Sequence, residues 1–112
     1  DFLLLTGDDA TAIDFLLLGG HGGISVTANV APKELQKSYL AAIAGNVDLA
    51  KQVNEELSSL HKNLFVEANP IPVKWSLHKM GMCSKGIRLP LLELSNEYRP
   101  IIENDLKELN LI

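Results

Sequence analysis

Residues 1–30 read DFLLLTGDDATAIDFLLLGGHGGISVTANV, and the order of features in that stretch decides the fold. An apolar run, Phe2 to Thr6, stops at Gly7-Asp8-Asp9. An amphipathic segment, Ala10 to Leu18, stops at Gly19-Gly20. A second apolar run, Gly23 to Thr27, ends on Ala28-Asn29. Two strands joined by a helix form a βαβ unit and run parallel. In parallel α/β folds, ligands gather beyond the carboxyl ends of the strands. Here those ends carry polar residues, and the opposite end carries the glycines.

The chain has 112 residues, enough for one modest domain. Hydrophobic residues make up 46% against 21% charged, a balance that argues against disorder. The net charge of -4 argues against nucleic-acid binding, which wants a basic stripe. Cys83 stands alone and forms no intrachain disulfide, which fits a reducing, cytoplasmic setting. The longest apolar runs, Phe2–Leu5 and Phe15–Leu18, are far too short to cross a bilayer, and no signal peptide is visible. The first residue is Asp, and it opens directly into an apolar strand. Two parallel strands leave unpaired edges and too much apolar face to stand as a sheet. The expectation is therefore a C-terminal piece of a larger chain, with a small independent α/β domain as the competing reading.

Beyond residue 30 the pattern is helical. Pro32 suits the first position of a helix that ends near Gly45-Asn46, with Leu35, Tyr39, Ala42 and Ile43 as its stripe. Leu49, Val53, Leu57, Leu60 and Leu64 then recur at helical spacing over Val47 to Phe65, with Asp48 in the favourable first turn. Asn69-Pro70-Ile71-Pro72 breaks the pattern. A short helix follows, with Val73, Trp75 and Leu77 partly buried, and stops near Gly81. Cys83 to Pro90 reads as a loop. Ser95 reads as the cap of a last helix carrying Tyr98, Ile101, Ile102, Leu106 and Leu109, with Pro100 in its second turn. The fold class is α/β. Its βαβα order plus three helices suits the last two βα units of a (β/α)8 TIM barrel, a partial barrel with a C-terminal helical domain. Residues 1–46 would form the barrel units and residues 47–112 the helical domain.

The first helix is unusually apolar: Ile13, Phe15, Leu16, Leu17 and Leu18 cover most of its circumference. Either another subunit or a later helix of the same chain would cover its outer face. Asp9 immediately precedes the helix and reads as its N-cap. Asp8 reads equally well as a cap or as a group orienting an amino or hydroxyl group of a substrate. Gly19-Gly20-His21-Gly22-Gly23 is no phosphate cradle, because the order is helix, glycines, strand, the reverse of what an anion site needs. His21 there reads as a structural hydrogen-bonding residue. Ser25 and Thr27 would share one strand face and Ile24, Val26 and Ala28 the other. The two hydroxyls could contact a ligand or satisfy one another. His21, His61 and His78 lack metal-ligand spacing, Cys83 has no partner, and no G-x-S-x-G elbow supports a serine triad. Schiff-base chemistry needs a desolvated lysine on a rigid element. Lys33, Lys37, Lys51, Lys62, Lys74, Lys79, Lys85 and Lys107 all fall on helices or loops. Lys74, next to prolines, reads as a helix-surface lysine or an ion-pair partner.

The segments LLLTGDDATAIDFLLLGGHGGISVTANV, NLFVEANPIPVKWSLHKMG and IRLPL closely resemble the dihydrodipicolinate synthase family, one of the pyruvate-dependent class I aldolases that include N-acetylneuraminate lyase. The resemblance covers essentially the whole chain but only the family's C-terminal part. It implies a lyase that condenses pyruvate with aspartate 4-semialdehyde through a Schiff base in lysine (diaminopimelate) biosynthesis, with no cofactor and no metal. It implies that Ile24 lines the pyruvate site through its backbone and that Gly7 and Asp8 lie near the entering semialdehyde. It implies a homotetramer in which Asp14, Leu17 and Leu18 lie at a subunit contact, with no nucleic-acid or membrane partner. The family's Schiff-base lysine, catalytic tyrosines and carboxylate-binding residues lie upstream of this segment, and Tyr39 and Tyr98 do not match them. No catalytic residue is therefore expected in these 112 residues, which alone would be inactive. The alternatives are a non-catalytic truncated oligomerisation module and part of another pyruvate-dependent aldolase of the superfamily.

Overall fold

The computed structural model describes residues 1–112. Its elements are β1 (Leu5–Thr6), α1 (Ala12–Leu17), β2 (Gly22–Gly23), α2 (Pro32–Ile43), α3 (Val47–Asn63), α4 (Ile71–Lys79) and α5 (Arg99–Glu108), with a 3-10 turn at Thr27–Asn29 before α2. The order is βαβα followed by three helices, as the pattern predicts. The two strands are parallel, with Leu5 opposite Gly22 and Thr6 opposite Gly23. Backbone bonds from His21 N–H to the Leu4 carbonyl (2.9 Å) and from Ile24 N–H to the Thr6 carbonyl (2.8 Å) extend the ladder at both ends.

Both strands are shorter than the apolar runs suggest. Phe2 and Leu3 lie outside the ladder and are exposed. The second run leaves the sheet after Ile24 because its next amides have a stronger partner: the Asp9 carboxylate accepts from Val26 N–H (3.0 Å) and Thr27 N–H (3.3 Å). Those bonds curl the chain into the 3-10 turn. The expected alternation of Ile24, Val26 and Ala28 against Ser25 and Thr27 therefore does not arise.

The first helix ends as its glycines predict. Gly19 adopts φ 105°, a left-handed conformation that side chains disfavour, and Gly20 N–H returns to the Phe15 carbonyl at 3.0 Å. Asp9 is not the cap of α1. Thr11 occupies the N-cap and no side chain caps the helix, while Asp8 Oδ2 accepts from Thr11 N–H (3.1 Å) and Thr11 Oγ1–H (2.6 Å) in the turn before it. The cap of the last helix is likewise displaced. Ser95 gives its N–H (3.2 Å) and its hydroxyl to Glu67, and Tyr98 occupies the N-cap. Pro100 consequently sits in the first turn of α5, where its missing N–H is no loss.

One core joins Leu35 of α2, Leu57 and Leu60 of α3, Leu64 just beyond it, Val73 and Trp75 of α4, and Ile102 and Leu106 of α5. Burying each large side chain contributes about 1.5–3 kcal/mol. A second cluster packs Ile13 and Leu16 of α1 on Ala41, Ala42 and Ala50. The alanines let α2 and α3 approach closely enough for Ser38 Oγ–H to reach the Ala50 carbonyl (2.9 Å). Ser38 thus joins the buried face of α2, while Ile43 stays exposed. Asp105 is buried and accepts from Ser59 (2.6 Å) and Asn63 (2.7 Å), tying α5 to α3. No helix is long and apolar enough to cross a membrane.

Candidate strand-end site

The parallel register carries the continuations of both strands to one end of the sheet. Gly7 and Asp8 follow β1 there, and Ile24 follows β2. Gly7 is exposed, with open space where a Cβ would stand. Asp8 N–H donates to Thr6 Oγ1 (3.2 Å), and its carboxylate is engaged by Thr11 through one oxygen. Ile24 is 75% exposed. It borders a cleft of about 370 Å³ that also meets Asn29, Asn69, Val73 and Lys74. Asn69, which sequence reasoning treated only as a helix breaker, thus reaches the strand end. Lys74 lies on α4 at the rim and joins none of the ion pairs, which involve Lys79, Lys85 and Arg99.

Behind this cleft lies a polar network that the sequence pattern did not reveal. Asp9 is only 3% exposed. Besides the Val26 and Thr27 amides, its carboxylate accepts the Ser25 hydroxyl, whose oxygen in turn accepts Ala28 N–H (3.0 Å). Thr27 is fully buried and its Oγ1 lies 2.8 Å from His61 Nδ1 on α3. The other ring nitrogen, Nε2, lies 3.1 Å from Asn54 Oδ1. An amide oxygen only accepts, so Nε2 carries a proton, and in the neutral ring Nδ1 accepts from Thr27. Burial lowers the His61 pKa below 6.5, opposed by the negative charges of Asp9 and Asp8. Tyr39, which crowds Gly23, has its pKa raised by burial and by Asp9. The two hydroxyls of Ser25 and Thr27 do not bond each other: one serves Asp9 and the other meets His61.

At the opposite end, His21 Nδ1 accepts from Leu4 N–H (3.0 Å), a bond that helps hold the strands together. A groove of about 540 Å³ runs between that end of β2 and α2, lined by Gly22, Leu35, Tyr39 and Leu40 among others. On α1, Asp14 is exposed, Leu17 half-buried and Leu18 89% exposed. Leu17 packs against the cluster of Ile13, Leu16, Ala41, Ala42 and Ala50.

Comparison with known proteins agrees with this geometry. The chain is 58% identical over its full length to the 4-hydroxy-tetrahydrodipicolinate synthase of Laribacter hongkongensis and 52% identical to that of Ruthia magnifica subsp. Calyptogena magnifica, covering 38% of each. It superposes with a TM-score of 0.96 on the chloride-inhibited dihydrodipicolinate synthase of Acinetobacter baumannii complexed with pyruvate. That structure is 48% identical, and the match covers 99% of this chain and 38% of that one. The dihydrodipicolinate synthase of Thermotoga maritima matches all of this chain at 40% identity, again with a TM-score of 0.96 over 38% of its length. The model of the dihydrodipicolinate synthetase family matches residues 1–109, nearly everything present, and the chain belongs to that family.

Proposed function

We propose that this chain forms the C-terminal part of a 4-hydroxy-tetrahydrodipicolinate synthase, a cytoplasmic enzyme of lysine biosynthesis that condenses pyruvate with aspartate 4-semialdehyde through a Schiff base. The observation that carries the reading is the match of the whole chain, at 52–58% identity, to synthases of which it spans 38%. The strands are then the last two of a (β/α)8 barrel, residues 1–46 complete the barrel, and residues 47–112 form the helical domain. Ile24 lines the pyruvate site with its backbone, and Gly7 and Asp8 border the entering semialdehyde. Asp14, Leu17 and Leu18 meet another subunit of a tetramer, a role supported by the exposure of Asp14 and Leu18. The reacting lysine lies outside this segment, since every lysine here sits on a helix or loop. Borohydride trapping with pyruvate tests the reading. The 112-residue chain gains no mass, whereas the longer protein containing it gains one reduced pyruvate adduct. An adduct on the short chain, or none on the long one, overturns it.

A further inference from the structure

We infer that Asp9, Thr27, His61 and Asn54 form a buried positioning relay that sets the backbone of Ile24 and Ser25 at the strand-end cleft from a helix outside the sheet. The inference rests on the proposed function only for the identity of the ligand. Its structural content is independent. The segment after β2 does not hold its own shape. Asp9 takes two amides and one hydroxyl from the residues that follow Ile24. Thr27, the last of these, is pinned through its hydroxyl to His61, and His61 is oriented in turn by Asn54, seven positions earlier on the same helix. Every buried side-chain polar atom has a partner, so the relay has no slack to absorb a lost bond. None of the four residues lines the cleft, while Ile24, Ser25 and Val26 do. The relay therefore acts on a ligand through backbone placement rather than by contact. It gives α3 direct leverage on the site, which sequence separation conceals.

The test compares Thr27→Val with Thr27→Ser in the longer protein containing this chain. Valine keeps the branched shape and loses the hydroxyl, and serine does the reverse. In Thr27→Val, KM for pyruvate should rise about tenfold with a smaller change in kcat, and Thr27→Ser should stay within about twofold of the parent. Amide hydrogen exchange over residues 24–28 should quicken in Thr27→Val alone. Equal impairment in both variants, or unchanged exchange in Thr27→Val, overturns the relay. If the parent protein does not turn over pyruvate, the functional reading fails, and the exchange measurement still decides the relay. Should Thr27→Val fold poorly, Asn54→Ala, which removes the far end at a half-buried helix position, carries the same comparison: faster exchange supports the relay and unchanged exchange overturns it.

Discussion

Leu57, Leu60 and Leu64 of the α3 region are sealed into a core supplied by α2, α4 and α5, whereas Phe2, Leu3, Leu4 and Leu5 around β1 all stand exposed. The sequences of the two regions are comparably apolar, so composition does not separate them. Closure does. The helices surround their stripe on several sides, and each leucine finds neighbours within the chain. A two-stranded sheet has two open edges and two faces, and α1 and α2 together cover only part of that surface. The α3 stripe is thus covered within the chain, whereas the apolar run around β1 stays exposed.

Substitutions should expose that contrast in order of size. Leu57→Ala, at a fully buried position, should lower unfolding stability by about 2–5 kcal/mol in a denaturant titration. A loss comparable to that at a surface leucine would mean the core is not closed. Asp9→Ala comes next, at about 3 kcal/mol, because it strands two amides and a hydroxyl. Gly23→Ala should cost about 1–2 kcal/mol, since a Cβ there would meet the Tyr39 hydroxyl at 2.6 Å and the ring must shift.

The pH dependence follows from His61. Its folded pKa lies below 6.5, so as pH falls the unfolded chain takes up the proton first. The stabilising contribution is complete above about 6.5 and declines as pH drops toward the folded value. His61→Gln should flatten that part of the stability profile, and an unchanged slope would show that another group governs it. The smallest effect is expected at Leu18→Asp, within about 0.5 kcal/mol in the folding free energy of a single chain. If α1 is a subunit contact, the same substitution should reduce the mass seen by analytical ultracentrifugation of the longer protein. An unchanged assembly would remove Leu18 from the contact.

The helical half was legible because its signal is local. The spacing of Val53, Leu57, Leu60 and Leu64 reports one face of one helix whatever surrounds it, and Pro32 and Gly45 mark ends by properties of their own backbone, Asn46 by its side chain. The parallel sense of β1 and β2 was legible for the same kind of reason, since the connecting helix leaves no other choice. Gly7 and Asp8 as strand-end residues followed from that polarity, whereas Ile24 was read inside the second strand and only the family resemblance singled it out. Capping was less legible. Asp9 matches a cap by residue type and position, yet Thr11 takes the N-cap of α1; Ser95 matches a cap by residue type but had a better partner in Glu67.

Residue order and hydrophobic spacing therefore specified which elements form and in what direction they run. Where the second strand ends, which aspartate is buried, and why the His61 pKa lies below its ordinary value were decided only on folding. Those answers are hydrogen bonds between residues far apart in the chain, 17 positions for Asp9 and Val26 and 34 for Thr27 and His61. A periodic pattern records how a segment meets apolar surface in general. It carries no record of which polar atom will lie 3 Å away, because that is set by the packing of whole elements and by the cost of leaving any buried polar group without a partner.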